Sequence, residues 1–528
     1  MKHTLPLLSG LTILGGATLV AVPATKPNIL VILADDLGFS DIGCYGSDIK
    51  TPNLDKLAQN GLRFTQFYNT GRCWPTRGAL LTGYYPQQIR MDPRQGRLPQ
   101  WAHTLPQRLK PLGYRSYHSG KWHIAGAPFP VGDAGFDRSY FLEDYDRNFN
   151  PAKLFEDDQP LQPVEKDSDY YTTTAISDHA IRCLKENAEK YANQPFFSYV
   201  AFNVPHFPLQ ALPEDIERYR DQYLKGWDKT REERWQKLRE MGIVNCDLAP
   251  LDPRLTPRYF DPNVLGKLGP GEIEHAVPWE QLTGEQKRFQ ATKMAIHAAM
   301  IDRMDQEIGR ILDQVKAMGE WDNTIIFFLS DNGTDATIMV RSDGNDRVAA
   351  PGSAGSFLCL GPGWSSAGNA PFRRHKVWTN EGGISTPLIV HWPKGIAARG
   401  ELRRDVGHVI DLVPTLLELA GSSPKLAAGE PPLPGVSLVP AFFKNGSVLR
   451  NNVFFNHEGN RALRMGSYKL VFAREDSDVW ELYNLETDRC EQHNLVSEQP
   501  ERVRDMAACW QQLQDSFVRD AGAINAAK

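Results

Sequence analysis

The chain has 528 residues, of which 41% are apolar and 23% charged, and it carries a formal net charge of -5. That length exceeds one ordinary core and predicts a large and a smaller domain, while the composition excludes a disordered chain. Basic and acidic residues are interspersed without a Lys/Arg run, which excludes a nucleic-acid track and a polybasic membrane patch.

At the N-terminus, Met1-Lys2-His3 precedes an apolar stretch from Leu5 to Val22 that is broken by Pro6, Gly10, Gly15 and Gly16 and ends Val22-Pro23-Ala24. Residues 1–24 read as a secretory signal cleaved near Ala24, which implies a secreted or periplasmic protein with no stable membrane insertion after cleavage. The alternative is an N-terminal anchor, against which the glycines count. The cysteines, Cys44, Cys73, Cys183, Cys246, Cys359, Cys490 and Cys509, are scattered and include no C-x-x-C. They support no zinc site and at most one or two disulfides.

Asn28 to Ala34 is a continuous apolar run of the kind found in a strand buried on both faces, and it ends in Asp35-Asp36. Thr51-Pro52, with Leu54, Leu57 and Ala58 and a closing Gly61, predicts a capped helix. Arg63 to Tyr68 predicts a short strand, and Cys73-Trp74-Pro75-Thr76-Arg77 opens the next helix. Read alone, Cys73 is an ordinary thiol at a helix start, lowered in pKa by the dipole. Further strands are expected at Tyr114 to His118, Phe196 to Asn203, Thr324 to Ser330 and Pro387 to His391, and amphipathic helices at Tyr171 to Ala192 and Ala295 to Met318.

Such alternation predicts an α/β fold with a mostly parallel central sheet between helices, with ligands at the carboxyl edge of the strands. From Leu209 to Gln290 the chain turns charged, Pro-rich and aperiodic, as an insertion of loops and short helices would. Within it, the alternating charges from Lys229 to Glu240 predict a solvated helix face. Gly421 to Pro434 reads as a linker. Beyond it, Asn452 to Phe455, Ala462 to Met465, Lys469 to Phe472 and Trp480 to Tyr483 predict an antiparallel sheet, closed by a helix from Pro500 to Phe517. The expected organisation is a signal over 1–24, a large domain over 25–425 and a small C-terminal α+β domain over 436–528.

Asp35-Asp36 and Asp331-Asn332-Gly333 each follow a strand and supply oxygen donors suited to a hard divalent cation. One such pair is often only a turn or a cap; two at strand ends, with the cysteine motif, favour a metal. Lys121 in Gly120-Lys121-Trp122-His123 and His206 in Pro205-His206-Phe207-Pro208 also follow strands, although either motif alone fits a surface lysine or a structural histidine.

In this chain order the motifs resemble type I, formylglycine-dependent sulfatases, arylsulfatase-like members of the alkaline phosphatase superfamily. The C-x-P-x-R at Cys73 is similar to the signature that a maturation enzyme reads when it oxidises the cysteine to formylglycine. Lys376 and Glu381-Gly382-Gly383 are similar to the family's lysine and E-G-G segment, His408, Asp411 and Pro414 to a structural helix motif, and Glu481-Leu482-Tyr483 to an element of the small domain. The resemblance covers the chain from Asn28 onward except for the insertion.

It implies that Asp35, Asp36, the formylglycine at Cys73, Asp331 and Asn332 hold calcium, in preference to magnesium. It further implies that Arg77, Lys121 and Lys376 bind the sulfuryl group, that Asp331 and His123 act as bases and that His206 is the acid. The expected substrate is a sulfate monoester of a carbohydrate. A phosphonate monoester or phosphodiester hydrolase, and a non-catalytic sulfated-glycan binder, are the alternatives. His457 to Arg461 reads as a domain-interface network, with binding of sugar hydroxyls at the pocket as the alternative.

Overall fold

Every residue of strand β1 (Asn28–Ala34) is buried, because its two faces feed two separate cores. Leu30, Ile32 and Ala34 enter one core, and Ile29, Val31 and Leu33 the other. The same alternation divides β7 (Phe196–Ala201) and β8 (Thr324–Ser330), the strands on either side of β1. A strand with period-two side chains and no solvated face must be apolar throughout, which is what the sequence shows. The computed structural model describes residues 26–166, 168–260, 262–341, 344–422, 426–475 and 479–522. The expected signal segment lies outside them.

The other strands of the large sheet are β2 (Leu62–Tyr68), β3 (Arg115–Gly120), β4 (Arg138–Leu142), β5 (Leu154–Glu156), β6 (Gln159–Pro160), β9 (Ser385–His391) and β10 (Glu401–His408). Their spatial order is β10-β2-β9-β8-β1-β7-β3-β4-β5-β6. Strands β8, β1, β7, β3 and β4 run parallel. Strand β9 is antiparallel to both β8 and β2, so β2 and its parallel neighbour β10 point the same way as β1. The fold is α/β, with a mostly parallel ten-stranded sheet between helices and a separate four-stranded antiparallel sheet toward the C-terminus.

One face is covered by the helices Gly284–Ala317 and Thr172–Lys190, through residues such as Met300, Met304, Ile308 and Ile176. The other is covered by the helices Cys73–Thr82 and Leu412–Leu419, through Leu80, Leu81, Val413 and Leu416. The long helix starts eleven residues before the expected Ala295, capped by Thr283, whose hydroxyl accepts from the Gln286 amide at 3.2 Å. The helix Pro52–Gln59 forms as expected, but Thr51 does not cap it. Asp305, from the long helix, accepts the Asn53 and Leu54 amides at 3.0 and 2.9 Å.

The insertion is more ordered than its sequence suggests. Its helix Gly226–Glu240 buries Trp227, Arg231 and Arg234, so the charge run is not a wholly solvated face. Arg234 pairs with Asp41 at 2.6 Å and Asp48 at 3.1 Å, and Trp227 packs edge-on against Trp279 and Trp364. Those partners come from distant parts of the chain, which a local charge pattern does not reveal. None of the seven cysteines is in a disulfide.

The small sheet comprises β11 (Val453–His457), β12 (Asn460–Met465), β13 (Tyr468–Phe472) and β14 (Glu481–Asn484), followed by the helix Pro500–Ala521. It packs on Tyr68 of β2 and on Ile384, just before β9, through Val453, Phe455, Ala462 and Val471. Within this contact the Lys469 ammonium lies 2.9 Å from Glu381 and 2.8 Å from Glu491, and all three side chains are sealed from solvent. Removing the cation would leave Glu491 buried without this ion pair and Glu381 with Arg489 as its remaining partner cation. Lys469→Met should therefore cost on the order of 3–5 kcal/mol, measured as a lowered denaturation midpoint; a variant as stable as the parent would show that the triad is not a fastening.

Candidate active site

All the proposed site residues stand at the carboxyl edge of the large sheet. The β1–β8 register pairs Ala34 with Ser330, so Asp35 and Asp331 leave neighbouring strands at the same level. Asp36 turns there with a left-handed backbone, φ 66°, and its amide donates to Asp331 at 3.2 Å. Carboxylate oxygens of Asp35, Asp36 and Asp331 lie within 4.8 Å of one another, all buried. Asn332 donates its side-chain amide to Asp36 at 2.7 Å. Its Oδ1, like Asp35 Oδ1, is buried without a hydrogen-bond donor. Buried acceptors of this kind call for a partner, and a set made only of carboxylate and amide oxygens fits a hard cation such as calcium.

Cys73 begins the helix after β2 and is 3% exposed. Pro75 lies in the first turn, where a missing N–H costs nothing, and Gly83 ends the helix at φ 81°, its amide donating to Ala79. One turn into the helix, the fully buried Arg77 donates through Nε and Nη2 to Asp331 at 3.0 and 2.7 Å, and through Nη1 to the Lys121 carbonyl at 2.8 Å. Lys121 follows β3 and pairs with Asp35. Lys376, on the loop that leads into β9, lies 2.7 Å from Asp36 and 3.3 Å from Asp335. Three cations thus interleave with the carboxylates.

His206 follows β7 and is buried, its Nε2 3.8 Å from Asp36 and its Nδ1 against the Phe207 carbonyl. His123 accepts at Nε2 from Arg94 at 2.9 Å, since a guanidinium only donates, and its Nδ1 is buried without a partner. Tyr145 lies between these groups, its ring 4.7 Å from the Lys121 ammonium and 5.3 Å from the His123 ring.

The charges fix the protonation states. Burial alone would raise the Asp35 carboxyl, but the Lys121 and Arg77 cations outweigh it and hold the group well below its usual range. Burial, with Asp35 beside it, pushes Asp36 up to about 6 and Asp331 up to about 7. Burial and the neighbouring Lys121 press His123 and His206 far below 6.5, so both rings are neutral at pH 7.

The structure brings every proposed site residue to this edge and adds Tyr145, Arg94 and Asp335. Asp335 stood four residues beyond Asp331 in the same loop and was findable. Tyr145 and Arg94 carry no local signal. His457 joins the small sheet to the site, bonding Asp92 at 2.8 Å and packing on Trp74 at 5.5 Å. As expected of a structural motif, His408 and Asp411 cap a helical turn, with Asp411 accepting the His408 amide at 2.7 Å. A cavity of about 1000 Å³ opens between Gln210, Arg288 and Phe357, and none of the proposed catalytic or metal residues lines it.

A sulfatase family model matches residues 27–422, and a model of the N-sulphoglucosamine sulphohydrolase C-terminal region matches residues 373–518. An arylsulfatase of Klebsiella aerogenes is 33% identical over 466 residues, 80% of this chain and 93% of its own. An uncharacterized sulfatase of Schizosaccharomyces pombe is 32% identical over 540 residues, 92% of this chain and 93% of its own. N-acetylgalactosamine-6-sulfatase of Rattus norvegicus is 26% identical across 93% of this chain and 79% of its own. The fold is shared with Ps i-CgsB in complex with k-i-k-neocarrahexaose, at TM-score 0.66, 24% identity and 93% coverage of both chains. It is also shared with a protein in complex with its substrate D-glucosamine-2-N,6-O-disulfate, at TM-score 0.63 and 20% identity, covering 95% of this chain and 100% of that one. The chain belongs to the sulfatase family and is a sulfuric ester hydrolase.

Proposed function

We propose that the protein hydrolyses sulfate monoesters of a sulfated carbohydrate, using as nucleophile the hydrated aldehyde of a formylglycine that a maturation enzyme makes from Cys73. The observation that carries this reading is the convergence of Cys73, three buried cations and an oxygen-only acidic cluster at one sheet edge. The names of the hexosamine sulfatase relative and of the carbohydrate-bound structural neighbours support the substrate class. We further propose that residues 1–24 direct export and that the domains divide as the sequence suggests. No described helix is long and apolar enough to cross a membrane.

Asp35, Asp36, Asp331 and Asn332, with the aldehyde hydrate at position 73, would hold calcium, which offsets the carboxylates and adds positive charge beside the sulfate. One hydroxyl of the hydrate attacks sulfur in line, and Asp331, held by Arg77, takes its proton. Lys121, Lys376 and Arg77 balance the charge on the sulfuryl oxygens. His206, beside Lys376, gives its proton to the departing sugar oxygen. In the free protein burial, with Lys121 and Lys376 near it, keeps this ring neutral. An arriving sulfate supplies the negative charge that lets the ring hold a proton. His123, already neutral, takes the proton of the second hydroxyl on Nε2 in exchange for its contact with Arg94, so that sulfate is expelled and the aldehyde returns. Because the S–O bond breaks, the alcohol keeps its configuration.

Active protein should carry an aldehyde at position 73 in peptide mass spectra, and Cys73→Ala should be folded and inactive. Full activity from protein holding only the unmodified thiol would overturn the mechanism.

Calcium should restore chelated protein better than zinc, because the cluster offers neither imidazole nor unmodified thiolate. Protons compete for Asp36 and Asp331, whose carboxyls titrate near 6 and 7, so calcium affinity should rise from pH 5.5 to pH 7.5. Calorimetric titrations at the two pH values check the sign, and an affinity that fell with pH would rule out these carboxylates as ligands.

His206→Ala should slow hydrolysis of a sugar sulfate by roughly 10²–10⁴-fold, the range of a positioned general acid, and a nitrophenyl sulfate far less, since a phenoxide departs without a proton. Lys121→Ala should slow both about equally. Equal penalties for His206→Ala on the two esters would move the acid role to Lys376.

A further inference from the structure

Outside the sulfuryl-binding cluster, the mouth of the site is built from three distant parts of the chain. Arg72 and Trp74 flank the nucleophile, Arg258 and Tyr259 come from the insertion, and Glu458 comes from the turn between β11 and β12. Arg72 is sandwiched between the rings of Trp74 and Tyr259, 4.5 and 4.7 Å from their centres. Glu458 neutralises this group, lying 3.2 Å from Arg72 and 2.9 Å from Arg258 and accepting from the Tyr259 hydroxyl at 2.6 Å.

Arg94 is different. It is exposed, its guanidinium lies 4.1 Å from the centre of the Trp74 ring, and it donates to His123. Among the described residues no carboxylate stands within 4.0 Å of it, whereas Arg72, Arg77, Lys121, Arg258 and Lys376 each have one. The nearby Asp92 spends its Oδ2 on His457. A guanidinium has five N–H donors in a planar fork, and one contact to a ring nitrogen leaves most of them open. It is held in place by stacking on Trp74, the residue next to the nucleophile.

We propose that Arg94 receives a second anionic group of the substrate, a carboxylate or another sulfate borne near the scissile ester, so that the site selects doubly anionic sugars. This rests on the carbohydrate sulfatase reading above and narrows it. The planar fork suits a bidentate oxyanion, and because Arg72 is paired with Glu458 and Arg258 with both Glu458 and Glu475, Arg94 is the one of these three rim cations with no carboxylate of its own.

The test uses aldehyde-bearing protein turning over 4-nitrophenyl sulfate, with matched sugars as competitive inhibitors, so that the regiochemistry of cleavage does not matter. One arm compares singly with doubly sulfated glucosamine; the other compares a monosulfated disaccharide with and without a uronate carboxylate. The parent should bind the doubly anionic member of at least one pair about 10- to 100-fold more tightly, the range of a charge-assisted hydrogen-bonded pair, and the arm that responds identifies the group. In Arg94→Gln that ratio should fall to near one, and Arg94→Lys should restore part of it. Where a variant turns over too slowly, calorimetric Kd values on the Cys73→Ala background supply the same ratio.

A parent ratio near one in both arms, or a ratio unchanged in Arg94→Gln, overturns the inference alone. A loss of turnover with the ratio intact likewise overturns it and leaves Arg94 as a support for His123. No turnover of 4-nitrophenyl sulfate by aldehyde-bearing parent overturns the catalytic reading and this inference with it.

Discussion

Three carboxylates buried within 4.8 Å of one another repel, and the molecule is arranged around offsetting that repulsion. Parallel pairing of β1 and β8 forces Asp35 and Asp331 to emerge side by side, and no change of side-chain rotamer can separate their backbones. Cations from three other elements answer them: Arg77 from the helix after β2, Lys121 from the end of β3 and Lys376 from the loop before β9. Water is excluded, so each interaction is strong and each unpaired group is costly. The acceptors still unpaired, on Asp35 and Asn332, mark where a cation completes the balance.

The same constraint explains the role of the small sheet. Its Lys469 enters a second buried charge cluster with Glu381, the first residue of the turn that sets β9, and Arg489 lies 3.0 Å from the same Glu381. Its β11–β12 turn brings Glu458 over the mouth of the site. One end of the small domain therefore fastens the strand behind Lys376, and the other shapes the entrance. The insertion contributes in a similar way, burying Trp227 and Arg234 against the large domain while presenting Tyr259 to the rim.

Much of this was legible in the residues. An apolar run with no polar face can only be a strand covered on both sides, and acidic pairs that interrupt such runs must lie at the sheet edge. Asp35, Asp36, Asp331 and Asn332 were placed there this way, whereas Lys121 and His206 stood out only through motifs that resemble those of sulfatases, because position after a strand alone fits a surface lysine or a structural histidine. The limits of the long helix were less legible, because Gly284 to Gln290 sit in a polar stretch and only the Thr283 cap defines the start. The charge run of the insertion misled for a different reason: Arg234 looks solvated in sequence but is buried against Asp41 and Asp48, which stand far away along the chain, and Arg231 is buried against the Ala249 carbonyl.

The sequence by itself determined the kind of protein this is: an α/β chain whose strand-end acids, basic residues and cysteine motif are chemistry-bearing and locally recognisable. Those features depend on short-range order, on period-two burial and on motifs a few residues long. Only the tertiary structure decided which cations are spent on carboxylates and which are open. Arg94, Tyr145 and Glu458 acquire their significance from partners tens to hundreds of residues away, and the strength of a buried charge depends on what surrounds it in space, which no local spacing encodes.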